Sequence, residues 1–392
     1  MTVSSSSVCS IEATLEELDL KRSRLQELAR RHRLTHIALF RRPNVAWALG
    51  GIDTYVLLST TRGALALVYD VADDAMLLVT TNNEVARLLD EELAGSAYAV
   101  LRRNIEAVPW YSVPLDVAVG RMVGSGRLGS DLPLDLEPDS RLHVELLKRQ
   151  IQAAQAPLLE VEIRRARCLS QAVANAVEGT LREATPGNCE QEVAASIAGA
   201  LLRAGVRPVV LLIGADERIW RYRHPLPTSK KVKHLLMAAV VGERWGLHAC
   251  VTRMVCFGPP DTDVRRRFNG VRRVFATLCE ATRPGVEYRV VLERAKEAYR
   301  EVGFPDEWKH HHQGGPGGYY VPDFRATLDP DNRVCEGTIV CWNPTISGVK
   351  TEDTILVREK ASELLSLTDG WPQSRECTAS GTEWTLPELL VR

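Results

Sequence analysis

Three consecutive histidines, His310, His311 and His312, run into Gln313 and a glycine-rich turn, Gly314-Gly315-Pro316-Gly317-Gly318. Glycine lets backbone come close to a bound molecule, and imidazole carries protons near neutrality. The apolar run Gly337–Trp342 then leads to Asn343-Pro344, and Lys350-Thr351-Glu352-Asp353-Thr354 precedes Ile355-Leu356-Val357. This spacing reads as a glycine-lined loop and two strands, joined by a turn containing Pro344 and Gly348. Upstream, His224 closes the segment Tyr222-Arg223-His224-Pro225. His224, His311, His312 and Glu352 form a candidate acid–base set. A surface loop with an accidental histidine run, and a turn-capping His224, are the plainer readings of the same residues. Cys250 stands two residues after His248 on an expected strand, so the two share a face with Thr252 and Met254. A thiol there is either a nucleophile, given a lowered pKa, or an apolar filler. Tyr222, Cys250, Arg253, Tyr320, Asn343 and Lys350 complete the set as candidate substrate contacts, with salt bridging as the alternative for Arg253 and Lys350.

These residues need a scaffold, and periodicity supplies one. A helical stripe spans Glu12–Arg33. Strands follow at Thr35–Phe40, Ala64–Tyr69, Ala75–Thr80 and Tyr98–Arg102, with an apolar run at Val45–Leu49 and a helix at Asn82–Leu93. Trp110 and Tyr111 are expected to close this first core. Residues 140–168 turn helical and charged, with Pro157 marking a linker. Helices are expected at Glu160–Glu183, Cys189–Ala204, Asp261–Arg283 and Tyr288–Gly303, the first stopped by Pro186-Gly187. Val209–Ile213 reads as a short strand, and Leu235–Val241 and Gly246–Met254 as an antiparallel pair turning over Gly242–Trp245. The expectation is a mixed α/β (α+β) chain: a tail over residues 1–10, an α/β domain over 11–155 and a second domain over 156–392.

Composition bounds the function. The chain has 392 residues, is 45% hydrophobic and 25% charged, and carries a formal net charge of −1. That balance offers no electrostatic footprint for nucleic acid or anionic membrane, and no apolar run reaches transmembrane length. The polar start lacks the pattern of a secretory signal. Nine cysteines without paired spacing are expected as free thiols in the cytoplasm.

Pro186-Gly187 with Glu190, the Tyr222–Pro225 segment, Thr252-Arg253, the His/Gly loop and Glu352-Asp353-Thr354 together resemble the pita-bread fold of the creatinase, aminopeptidase P and methionine aminopeptidase superfamily. Arg41-Arg42-Pro43-Asn44-Val45-Ala46-Trp47 and Gly50-Gly51 resemble the small N-terminal domain of its creatinase- and prolidase-like members. The resemblance implies a site of two Asp, one His and two Glu holding two metal ions. Here those positions fall on Ala239, Cys250, either His312 or Gly315, Asn343 and Glu352, and only Glu352 is plainly kept. Ala and Asn cannot replace two carboxylates, so no metal or other cofactor is expected; one zinc on Cys250, His312 and Glu352 is the remaining metal option. Creatinase-like members imply for His224 a proton donor and acceptor. They also imply a homodimer in which Arg42 of one subunit reaches the partner's pocket, a solvated turn being the alternative. The reading is a metal-independent, creatinase-like hydrolase of a C–N bond in a small amide, guanidino or amino-acid-derived molecule. His224 would protonate the leaving nitrogen, Glu352 would activate water or bind a cation, and His311 or His312 would polarise the reacting group. A lyase in the same pocket and a non-catalytic binding module are the alternatives.

Overall fold

Thr14 starts the first helix, its hydroxyl accepting the Glu17 N–H at 3.1 Å, and Arg33, left-handed at φ 53°, ends it. That helix, α1 (Leu15–His32), buries Leu18, Leu25, Leu28 and Ala29 on one face. In this computed structural model, which describes residues 9–321, 323, 328–329 and 332–392, the chain forms two compact units, Ser10–Val161 and Glu162–Arg392 with Cys9. The division falls a few residues beyond the expected boundary at 155, just inside the long helix. The tail expected over residues 1–10 lies, up to residue 8, outside the described residues.

The first unit continues with β1 (His36–Arg41), α2 (Arg42–Ala48), β2 (Arg62–Asp70), β3 (Ala75–Thr81), α3 (Val85–Arg87), β4 (Ile105–Val108), α4 (Leu115–Val123), β5 (Ser125–Ser130), β6 (Arg141–Leu146) and α5 (Lys148–Gln155). Its strands make one mixed sheet in the order β4-β3-β2-β1-β5-β6. Several local expectations are corrected. The apolar run Val45–Leu49 is buried as expected and is mostly helix, because Pro43 in a first turn presets a helical φ without wasting a donor. The strand expected at Tyr98–Arg102 is a pair of tight turns, with buried Tyr98 and Leu101 spaced three apart. The helix expected at Asn82–Leu93 shrinks to α3 and one wide turn, Leu88–Glu92. Residues 141–146, expected helical, alternate Arg141 and His143 outward with half-buried Leu142 and Val144, the period of a strand. Trp110 and Tyr111 close no core: they are 66% and 73% exposed.

The second unit runs α6 (Glu160–Glu183), α7 (Glu190–Arg203), β7 (Arg207–Ala215), α8 (Glu217–Arg221), β8 (Leu235–Arg244), β9 (Leu247–Cys256), α9 (Thr262–Ala281), α10 (Tyr288–Glu301), β10 (Gly314–Pro316) and β11 (Ile339–Trp342). It ends with β12 (Thr345–Ile346), β13 (Val349–Lys350), β14 (Asp353–Leu356), β15 (Glu363–Leu364), β16 (Gln373–Cys377), β17 (Glu383–Pro387) and β18 (Leu390–Val391). Two sheets matter for the site, β18-β9-β8-β7 and β10-β11-β14-β15. The β8–β9 hairpin turns over Trp245-Gly246, at φ 57° and 76°, rather than one to three residues earlier. Two positive φ values in a two-residue loop match the twist of the flanking strands, and the Arg244 guanidinium lies 4.1 Å over the Trp245 ring.

The hairpin is buried on both faces. Gly242 has no room for a Cβ against Val173 of α6 and Val206. On the other face Met237 and Met254 join an apolar core with Phe275 of α9, Tyr299 of α10, Trp342 and Ile355. From the α6 side, fully buried Arg253 bonds Glu178 Oε1 at 2.8 Å, Asp353 Oδ1 at 2.9 Å and the Ser366 carbonyl at 2.9 Å. Of the nine cysteines, Cys9 and Cys168 are joined as a disulfide and the other seven are free, which corrects the expectation of nine free thiols. No described helix is long and apolar enough to cross a membrane.

Removing the Arg253 charge strands two buried carboxylates. Arg253→Met is therefore expected to cost about 3–5 kcal/mol of stability in urea unfolding. Adding Glu178→Gln and Asp353→Asn to that variant should recover most of the loss. A single-variant cost below about 1 kcal/mol would show that the ion cluster braces nothing.

Candidate active site of the second unit

His224 and the histidine run, 87 residues apart in sequence, are brought together by two carboxylates. Glu190, at the first position of α7 and fully buried, accepts the Ala215 N–H (2.9 Å), Arg218 Nε (2.9 Å), the Thr228 N–H (2.9 Å) and the Thr228 hydroxyl (2.7 Å). It thus pins both ends of the segment that carries His224. Glu307, in the turn before the histidine run, accepts Arg223 Nη2 at 2.6 Å, and from Ser347 the hydroxyl at 2.8 Å and the N–H at 3.1 Å. Arg223 and His224 are consecutive, so this ion pair joins the two histidine-bearing segments directly.

His224 Nε2 and His311 Nε2 lie 3.1 Å apart, one the donor and the other the acceptor according to tautomer. The rings of His311 and His312 stack at 4.2 Å, and one ring nitrogen from each of His224, His311 and His312 lies within 4.8 Å of the others. His224 is exposed, His312 half-buried and His311 buried. His310, the remaining member of the run, is exposed at the end of a short helical turn and outside this group. Behind them Gln313 donates to the His311 carbonyl at 2.6 Å and accepts the Tyr299 hydroxyl at 2.8 Å. Gly314 sits on β10 at φ 95°, where a Cβ would lie 2.0 Å from the Cys341 carbonyl oxygen, so no other residue fits.

The β9 row expected to share a face does so. The His248 N–H donates to the Gly318 carbonyl at 2.8 Å, the Cys250 N–H to Thr354 Oγ1 at 2.8 Å, and the Thr252 hydroxyl to Glu352 Oε2 at 2.7 Å. Glu352 also accepts Lys350 Nζ at 3.1 Å and Asn343 Nδ2 at 3.3 Å. Both its oxygens are therefore engaged by donors of the protein. Asn343 keeps a buried Oδ1 with no partner among the described residues.

Other expected contacts fall elsewhere. Every guanidinium nitrogen of Arg253 serves the ion cluster or the Thr252 and Ser366 carbonyls. Tyr222 is exposed, with Arg218 and Arg221 guanidinium carbons 5.1 Å and 5.5 Å from its ring centre. Tyr320 is half-buried after the glycine turn. Arg42 opens α2 in the other unit. Arg223, Glu307, Thr252 and Gln313 carried no functional signal of their own in the sequence.

Burial, then the Lys350 charge, lowers all three imidazoles: His311 to about 2 and His312 to about 4, with His224 also below its usual value and Glu352 partly offsetting the last two. The site at neutral pH thus holds three neutral imidazoles beside one ammonium. The Cys250 thiol is held well above its ordinary pKa, first by its contact with Cys341 and then by burial. It is protonated, the opposite of an activated nucleophile.

The donor set does not fit the binuclear centre that the fold implies. Ala239 stands beside Thr252 in the hairpin register, Gly315 beside Cys341, and neither has a ligand atom. Cys250 holds its proton, Asn343 is neutral, and Glu352 is paired with Lys350. The one-zinc option on Cys250, His312 and Glu352 is also displaced: among the described residues the converging group is His224, His311 and His312.

In an NMR pH titration of metal-free protein, the His311 and His312 rings are expected to keep neutral-imidazole shifts down to about pH 5. Titration of both near pH 6.5 would show that neither burial nor Lys350 governs them.

The chain is 24% identical over 219 residues to the Xaa-Pro dipeptidase of Pyrococcus furiosus, a stretch covering 54% of this chain and 62% of that protein. It is 27% identical over 187 residues to the probable dipeptidase PepE of Mycobacterium tuberculosis, covering 44% and 48%. The matches thus span about half to three-fifths of those relatives' lengths. The prolidase structure from Pyrococcus horikoshii superimposes with a TM-score of 0.73 at 18% identity, covering 89% of this chain and 98% of that one. The pita-bread fold is shared, and a sequence model of metallopeptidase family M24 matches residues 162–359, so the chain belongs to that family.

Proposed function

We propose that the second unit hydrolyses the C–N bond of a small neutral amide by histidine acid–base chemistry without a metal ion. The observation that carries this reading is the 3.1 Å contact between His224 Nε2 and His311 Nε2, beside Lys350. A pair of neutral imidazoles in contact presents both a lone pair and an N–H, as hydrolysis requires. His224 accepts a proton as water attacks the carbonyl carbon, with His311 holding its ring through the 3.1 Å contact. The positive charge of Lys350 stabilises the developing oxyanion. His224, the exposed member, returns the proton to the leaving nitrogen, and the bond breaks to carboxylic acid and amine. Glu352 holds Lys350 in place and is a positioning residue.

The charge arrangement narrows the substrate. Lys350 opposes a guanidinium, and Glu352 is already neutralised, so an amide fits better than a guanidino compound. The relatives named as dipeptidases support a small amide substrate. The test is turnover of a panel of small N-acyl amides and dipeptides by untagged protein. Activity is expected to persist in chelator, and His224→Ala to lower kcat by about 10²–10⁴-fold with KM little changed. Unchanged kcat in that variant, or activity abolished by chelation and restored by manganese or zinc, would remove the proposal.

A further inference from the structure

The three imidazoles that serve as proton carriers are also a ligand set. We propose that His224, His311 and His312 form a reversible site for one borderline divalent transition ion of the zinc class, whose occupancy switches the hydrolase off. This rests on the proposed function for its inhibitory consequence, though not for the binding itself.

Geometry comes first. Zinc–imidazole bonds of 2.0–2.1 Å at tetrahedral angles set neighbouring nitrogens about 3.3 Å apart. His224 Nε2 and His311 Nε2 stand at 3.1 Å, and the third ring has a nitrogen within 4.8 Å. Rotation of half-buried His312 or exposed His224 closes that gap. His312 Nδ1 accepts the Gly314 N–H at 3.3 Å. Buried His311 is held from behind by Gln313 on its carbonyl.

Donor chemistry comes second. Three imidazoles without a free carboxylate suit zinc, nickel, cobalt or copper and not magnesium, calcium or manganese. Lys350, 3.1 Å from Glu352, opposes a second positive charge, so binding is reversible and weaker than in a resident cofactor. Of the positions that the resemblance gives to the family's ligands, Ala239, Cys250, Asn343 and Glu352 contribute nothing to this site, and only His312, one of two candidates for the family's histidine, is shared. A bound ion occupies the same lone pairs that accept the proton from water and pass it to the leaving nitrogen. Ion and proton transfer therefore exclude one another.

The experiment uses untagged, metal-free, full-length protein. Equilibrium dialysis against Zn²⁺, with Co²⁺ visible absorption as a second readout, is expected to give one ion per chain. His311→Gln and, in case that variant misfolds, exposed His224→Gln should each lose it, whereas His310→Gln should retain it. Mg²⁺ and Mn²⁺ should not compete. Amide hydrolysis should fall over the same Zn²⁺ range and recover on chelation. Absence of stoichiometric binding, or binding unchanged in both His311→Gln and His224→Gln, would overturn the site while leaving the proposed hydrolysis standing. Binding that is lost in those variants but activates hydrolysis would overturn the inhibitory role, and the metal-free chemistry with it.

Discussion

One guanidinium shared by two buried carboxylates sets the register of the site. Arg253 of β9 reaches Glu178 of α6 and Asp353 of β14, and Ser366 and Thr368 hydroxyls complete the cluster on Asp353 and Glu178. The residues one step earlier on the two strands, Thr252 and Glu352, are thereby set opposite each other, with the Thr252 N–H donating to the Glu352 carbonyl at 2.9 Å and the hydroxyl to its carboxylate. The cluster carries more negative than positive charge. Burial raises Asp353 to about 6 despite Arg253, and its Oδ2 has no partner among the described residues. A buried arrangement of this kind contributes little net stability over an apolar substitute. It supplies alignment: a slip of β14 by one residue would turn Glu352 away and break the bonds of Arg253 and Ser366 to Asp353.

The carboxylates that shape the pocket and those that would load it with metal have had different fates. Glu190 and Glu307 are intact, buried or half-buried, and saturated with donors from the segments that carry His224 and the histidine run. At the metal positions only Glu352 keeps its charge, and it is neutralised by Lys350. The pocket has its supporting carboxylates, its glycine approach and its clustered imidazoles in place, and the proposed function rests on these. A scaffold needing only shape would have no use for three neutral imidazoles in contact, since burying polar rings carries a desolvation cost.

The sequence made the long elements readable because their periodicity is strong and their caps are explicit. Glu160–Glu183 and the β8–β9 hairpin owe their clarity to unbroken helical stripes and continuous apolar runs. What misled was local. Trp110 and Tyr111 are large apolar residues that sit on the turn after β4 and stay exposed, because hydrophobicity says nothing of which side of a turn faces the core. In the site, His224, His311, His312 and Glu352 could be named from type and spacing. Their division of labour could not, since it depends on partners distant in sequence. Lys350 beside Glu352 occupies the expected base with an ion pair, and Glu307 beside Arg223 joins the segments of His224 and His311. Ion pairs between segments leave no periodic trace in either segment.

The same electrostatics decide what the pocket can admit. A centre of two Asp, one His and two Glu is strongly anionic and is completed by metal charge. Here the sole carboxylate among those positions is matched by an ammonium, and every added positive charge works against Lys350. Burial and then that charge keep His311 and His312 neutral at neutral pH. Under the proposed function the same charge disfavours a cationic substrate. In the proposed function, the Lys350 ammonium paired with Glu352 supplies the positive charge beside the imidazoles.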